Sequence, residues 1–302
     1  MFGALSILLP MCCLGQVSPV SSQESGPTNS ATRLPDVNVI ATVPLQEDYP
    51  LGDNHQPEWT ARRRFLTTKV YVQPPWQVEA EIGYNGTIQR MGEPLHLFQQ
   101  EIEIGLPHRF QLDVENVNAN FKGDEDGSGK WQHVSDSLEL RYALADWGKI
   151  PLNPTLNLEW KLNDGEADAF EFNVLLGEEF CARWHWGANL FYEQQVGDDR
   201  VREFAISQAI SYTLIDQKLS AGAEMKFSSE SDKDTRDNPE NRLLMGPSFQ
   251  WRPTRRTHLD VVPLFGVNDK SPHAEFFVFF GIEFGPGSKE RESVEPASLH
   301  GK

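Results

Sequence analysis

Thr155-Leu156-Asn157-Leu158-Glu159-Trp160-Lys161-Leu162-Asn163 separates into two chemical sets at a period of two. Leu156, Leu158, Trp160 and Leu162 share one face, while Thr155, Asn157, Glu159, Lys161 and Asn163 share the other. Successive side chains of a strand point to opposite sides, whereas a helix of about 3.6 residues per turn would mix the two sets. The stretch therefore predicts a strand with one apolar and one polar face. The same pattern recurs on both sides of it. Val78, Ala80, Ile82 and Tyr84 alternate with Glu79, Glu81 and Gly83. Phe110, Leu112 and Val114 alternate with Asp113 and Glu115, and Leu138, Leu140 and Tyr142 with Glu139 and Arg141. Phe276, Val278, Phe280, Ile282 and Phe284 alternate with Glu275, Gly281 and Glu283. Between Val70 and Phe284 about twelve such segments follow one another, an even number, as bacterial membrane barrels require.

The breaks between segments alternate in length. Leu106-Pro107-His108 and Ile215-Asp216-Gln217 are short; Lys122 to Lys130 and Ser228 to Glu240 are long and charged. Asp146 to Pro151 is long for its place among the short breaks. The prediction is all-β: a closed antiparallel up-and-down transmembrane β-barrel of about twelve strands in a bacterial outer membrane. A β-sandwich or a lipocalin-like barrel also alternates, with its apolar face inward. Three features favour the membrane. Tyr84, Tyr142, Trp184, Tyr192, Tyr212 and Trp251 stand near strand ends on the apolar face, as an aromatic girdle would. The polar face is Glu, Asn, Ser and Gly, suited to a lumen. The last strand closes on aromatic Phe284.

The chain has 302 residues, 27 Lys+Arg against 44 Asp+Glu, and a net charge of -17, which argues against a nucleic-acid partner. Past the N-terminus no apolar run approaches the ~18 residues of a membrane-spanning helix. Residues 1–22 are assigned to a signal peptide, residues 23–65 to a disordered linker, residues 66–284 to the barrel and residues 285–302 to a charged tail. Within the linker, Asp36-Val37-Asn38-Val39-Ile40-Ala41-Thr42-Val43 is similar to the TonB box of energised outer-membrane receptors, in which a β-prone run pairs with a strand of a periplasmic energising protein. Cys12, Cys13 and Cys181 make no disulfide framework and no zinc spacing.

Two longer stretches carry a family resemblance. Val72-Gln73-Pro74-Pro75-Trp76-Gln77-Val78-Glu79-Ala80-Glu81-Ile82-Gly83-Tyr84 resembles the first strand of the outer-membrane transporter family named after the phenol meta-cleavage degradation pathway. Glu101-Ile102-Glu103-Ile104-Gly105-Leu106-Pro107-His108-Arg109-Phe110-Gln111-Leu112 resembles its second hairpin. The resemblance runs from about Val70 to Phe284 and implies a closed barrel with a transport role. Phe284 is similar to the assembly signal of outer-membrane proteins, which implies the barrel assembly machinery as a partner, beside membrane lipid and a small-molecule solute.

The chemistry read from the residues is that of a channel or uptake protein for small molecules. The alternation places Glu79, Glu81, Glu101, Glu103, Asp113, Glu115, Glu139, Glu159, Glu171 and Glu224 on the lumen face, with Arg141, Lys161, Lys226 and Arg242 as possible partners. Crowded carboxylates in a narrow pore favour cations. A structural or adhesive barrel without transport is the alternative. A barrel enzyme of phospholipase type would need a Ser–His pair, and His133-Val134-Ser135 puts two such side chains on one face. That face is the lumen, not the lipid side where such an enzyme works. No catalytic motif, cofactor or metal site is expected, and Asp124-Glu125-Asp126 has no calcium-loop spacing.

Overall fold

The structure, a computed structural model, describes residues 45–65, 69–121, 130–197 and 199–285. The signal segment, Asp36 to Val43, Asp124-Glu125-Asp126 and the tail from residue 286 lie outside them. Two short strands, β1 (Pro50–Leu51) and β2 (Gln56–Pro57), and one helical turn, α1 (Glu58–Arg62), precede the barrel. Twelve long strands follow: β3 (Val78–Ile88), β4 (Leu95–Leu106), β5 (Phe110–Phe121), β6 (Lys130–Ala143), β7 (Thr155–Asn163), β8 (Ala169–Cys181), β9 (Trp184–Gln195), β10 (Arg202–Ile215), β11 (Leu219–Ser231), β12 (Glu240–Thr254), β13 (Thr257–Gly266) and β14 (Ala274–Phe284). Each pairs antiparallel with its neighbours in sequence, and β14 closes on β3 with Phe284 opposite Val78 and Ala274 opposite Ile88. Closure leaves no strand edge, which a bilayer demands because nothing in it hydrogen-bonds a bare backbone. At 9 to 15 residues the strands are long enough to cross one.

The apolar face points outward. Leu158 is 56% exposed, whereas its neighbour Asn157 is 2% exposed. Ile82, Leu138, Phe249 and Phe280 are likewise exposed on the outer wall. Aromatic residues form two belts on it. At the short-turn end Phe110 packs on Tyr142 and Trp184 on Tyr212. At the long-loop end Tyr84 meets Phe98, Phe98 meets Trp131, and Tyr192 meets Phe204. This arrangement anchors a barrel at both water–lipid boundaries.

Two details of the wall depart from simple alternation. Val117 pairs with Ser135 but Asn118 pairs with His133, so Val134 is an extra residue in β6. A bulge of this kind ends the regular up-and-down phase. Ser135 is buried on the lumen side, while half-exposed His133 lies 3.4 Å from Asp136 and 3.8 Å from Asp164. His133 and Ser135 therefore do not share the face that their spacing suggested. The lumen is also not uniformly polar. Leu244, Val262, Leu264, Phe277 and Phe279 form a buried cluster on the inner face of β12, β13 and β14.

The linker expectation does not hold from Leu45 onward, nor does the barrel wall begin at residue 66. Trp59, Phe65, Val70, Tyr71 and Val72 form an apolar core with Ala143 and Ala209 of the wall. Residues 45–65 and 69–77 thus lie within the barrel, on the short-turn side. The turn between β6 and β7 is where they dock. The Trp147 amide donates to the carbonyl of Asn54 at 3.1 Å, and the Tyr71 hydroxyl donates to the carbonyl of Ala145 at 2.6 Å. The Trp147 ring stands edge-on to Trp59 at 5.5 Å and to Tyr71 at 5.3 Å. The unusual length of that break serves this contact.

Candidate functional site

The N-terminal plug enters the lumen with four cations. Arg62, Arg63, Arg64 and Lys69 are each buried, on a segment without strand periodicity. Arg62 pairs with Glu58 of its own helical turn and lies 3.6 Å from Glu283 of β14. Arg63 donates to Nδ1 of His185 at 3.0 Å, to Ser211 at 2.8 Å and to Glu47 at 3.0 Å. Arg64 lies 2.7 Å from Glu81 and 3.7 Å from Glu101. Lys69 bridges Glu79 and Glu103, both at 2.9 Å. The Gln73 amide donates to the same two carboxylates at 2.9 Å. Burial disfavours the charged form of Lys69, but Glu103 and Glu79 outweigh it, so its pKa is raised. The pKa of Arg64 is raised in the same way against burial, by Glu81 and Glu101.

Glycines in the wall accept the plug. A Cβ on Gly187 would lie 2.7 Å from the Phe65 ring and 2.7 Å from Val70, and one on Gly177 would meet Val70. On Gly105 it would overlap the carbonyl of Pro74. Gly105 also exchanges backbone hydrogen bonds with the plug, donating to Gln77 at 2.9 Å and accepting from Trp76 at 2.7 Å. Gly187→Leu is therefore expected to unseat Phe65 and Val70 without touching the lipid face. Trypsin reads the result. The buried Arg62–Arg64 run should resist cleavage in the folded wild type and be cut in the variant. Equal protection in both would refute the docking.

The structure places most of the lumen residues named from the sequence against the plug or above it. Glu79, Glu81, Glu101 and Glu103 hold the plug. His258, 2.6 Å from Glu79 and 2.5 Å from Asp260, joins them. Arg141 lies 3.0 Å from Asp113 and also pairs with Glu139. Lys161 lies 2.6 Å from Glu171 and 2.7 Å from Glu193. Glu224 is buried near Phe65. Arg242 sits apart, half-exposed near the long loops, with Glu230 at 3.2 Å and Glu240 at 2.9 Å. Phe284 ends β14 on the outer wall, 48% exposed.

Between the plug tip and the long-loop end lies a cavity of about 330 Å³. Glu101, Glu115, Glu139, Glu159, Glu171, Glu193 and Glu203 line it, with Arg64, Arg141, Lys161 and Lys226 as its bases and Phe191, Phe277 and Phe279 as its aromatic wall. The sequence reading missed the plug cations. Their one local signal was Arg62-Arg63-Arg64 next to Trp59 in a segment otherwise read as linker. It also missed Phe277 and Phe279, which are apolar residues in the polar phase of their strand, within the unbroken apolar run from Phe276 to Phe280.

A closed, even-stranded barrel with a lipid-facing apolar belt, two aromatic girdles and a charged interior is an outer-membrane β-barrel, and the bacterial outer membrane is its place. No family model and no curated protein matches the chain. An outer membrane channel from Pseudomonas putida F1 is similar in structure, with a TM-score of 0.54 at 10% identity over 72% of this chain and 98% of that one. The NanC porin is similar at a TM-score of 0.47 and 12% identity, over 69% of this chain and 100% of its own. The KdgM porin is similar at 0.46 and 9%, over 68% and 99%. At these identities the likeness is one of fold.

Proposed function

We propose that the protein is a gated channel for small molecules, favouring cations, whose lumen is closed on the short-turn side by residues 45–65 and 69–77. The observation that carries this reading is the site of Lys69 and Arg64: four wall carboxylates, Glu79, Glu103, Glu81 and Glu101, are neutralised by a segment that is not part of the wall. Removing the plug would leave a hydrated pore lined by carboxylates, with a field that concentrates cations. The resemblance of Val72 to Tyr84 and of Glu101 to Leu112 to the phenol-pathway transporters supports a transport role. The test is a bilayer recording of the Gly187→Leu variant under a salt gradient. A reversal potential on the cation side is expected. An anion-side potential, or silence while trypsin shows the plug released, would overturn the reading.

One observation favours an energised opening. The Gln46 amide donates to Asp216 in the turn between β10 and β11 at 2.7 Å, so the plug begins at the short-turn end, which faces the periplasm in such barrels. A periplasmic energising protein that bound Asp36 to Val43 would pull at this point. Phe284, at the end of the closing strand, is the residue we assign to recognition by the barrel assembly machinery.

A further inference from the structure

The cavity above the plug has two unlike walls. In the closed strand order, β13 and β7 stand six strands apart in the ring of twelve, so they face each other across the lumen. The β12–β14 side carries the apolar cluster, with Phe277 and Phe279 reaching the cavity. The opposite side, β7 to β9, carries acceptors. Asn157, Asn173 and Asn189 line the cavity at 2%, 2% and 5% exposure, and their Oδ1 atoms accept no hydrogen bond from the described residues. The Nδ2 of Asn173 is engaged by Glu171 at 2.5 Å, so its carbonyl is the end left to accept. A buried acceptor without a donor is costly, and three together call for a ligand that donates. The charge agrees. Arg64, Arg141 and Lys161 are ion-paired, whereas among the described residues Glu115, Glu159 and Glu203 are in no ion pair, against Lys226 as the remaining base.

The chain displays the matching chemistry with its own side chain. The Arg64 guanidinium, at the plug tip, lies 4.1 Å from the centre of the Phe279 ring while paired to Glu81 and Glu101. A cation held between carboxylates and an aromatic face is thus already accommodated at the floor of the cavity.

We propose that the cavity binds an organic cation with an apolar or aromatic body, its ammonium head toward Glu159 and the asparagine carbonyls of β7–β9 and its body against Phe277. Its volume of about 330 Å³ matches a small ligand, at the lower end of the ~300–1,000 Å³ usual for such sites. An inorganic cation would leave the apolar wall without a partner, and a neutral or anionic aromatic would leave Glu115, Glu159 and Glu203 without a counter-charge.

The proposal rests on the channel reading for the ligand's route, and the experiment keeps the two apart. Isothermal titration of the purified full-length barrel in detergent compares phenethylammonium with 2-phenylethanol, phenylacetate and ethylammonium. Phenethylammonium is expected to bind at least about tenfold more tightly than the other three, because only it satisfies both walls. Glu159→Gln and Phe277→Leu should each weaken it at least about threefold, with heat-modifiable gel migration showing that both variants fold; the leucine keeps apolar volume and removes the ring face. Equal binding of all phenyl compounds, no binding of any, or indifference to both substitutions overturns the site. Cation-selective conductance of the plug-released variant without phenethylammonium binding overturns this inference and leaves the channel. Binding without conductance in that variant overturns the channel and leaves the site.

Discussion

Lys69→Met is expected to open the lumen, and deleting residues 45–73 to hold it open. Lys69 joins Glu79 and Glu103 in a fully buried bridge, and its aliphatic stem is close in volume to methionine. Removing one partner of a buried pair costs about 3–5 kcal/mol, because the other charges remain without compensation. Release of the plug relieves that cost by hydrating Glu79 and Glu103. The ratio of docked to released plug should therefore fall roughly 10²-fold or more. Single-channel recordings would show a wild type that is closed nearly all the time and a variant with frequent long openings. The barrel should persist, since each wall strand keeps both neighbours. The bridge should also be insensitive to pH near neutrality. A cation whose pKa is raised in the folded state contributes fully below its ordinary value and loses that contribution only as pH rises through the raised one, and Lys69 lies above the usual lysine range. Identical open probability in wild type and variant, or a deletion that remains silent in a folded barrel, would show that the plug does not gate.

Leu158→Arg is expected to be the most damaging change on the wall, and Asn157→Arg, one residue away, to be tolerated. Leu158 is 56% exposed near the middle of β7, where the wall meets lipid. Arginine at the bilayer midplane of a barrel costs roughly 2–4 kcal/mol. Asn157 faces the cavity among Glu139, Glu159 and Glu171, where an added guanidinium finds carboxylates. Heat-modifiable migration after refolding into liposomes separates the two. Leu158→Arg should refold poorly and Asn157→Arg normally, with a narrower pore once the plug is released. Equal refolding of both would contradict the outward direction of the apolar face.

The number of strands, their faces and the side of the short turns were legible in the residues because each is a local property. Strand periodicity is written in neighbours such as Asn157 and Leu158, and the bilayer needs an apolar residue at every second position. Where both faces are apolar the pattern marks only one of them, which is why Phe276, Val278 and Phe280 were read as the lipid face while Phe277 and Phe279, in the phase between them, were not recognised as an apolar patch of the lumen. The bulge at Val134 was equally hidden, since one extra residue in β6 reverses the phase of His133 without altering composition.

The candidate site divides along the same line. That Glu79, Glu81, Glu101 and Glu103 share a face follows from alternation alone; what neutralises them does not. Arg63 reaches His185 across 122 residues of sequence, and Gln250 reaches the carbonyl of Arg62 across 188. Such contacts have no period and no spacing. The plug has neither because its own hydrogen bonds are confined to short pieces such as the β1–β2 pair and the turn α1, and its seat is set by the cavity it fills, through Gly105, Gly177 and Gly187. The barrel could therefore be read from the chain, whereas the occupant of its lumen, and the pairing of an acceptor wall with an aromatic one, emerged only when closure brought β7 opposite β13.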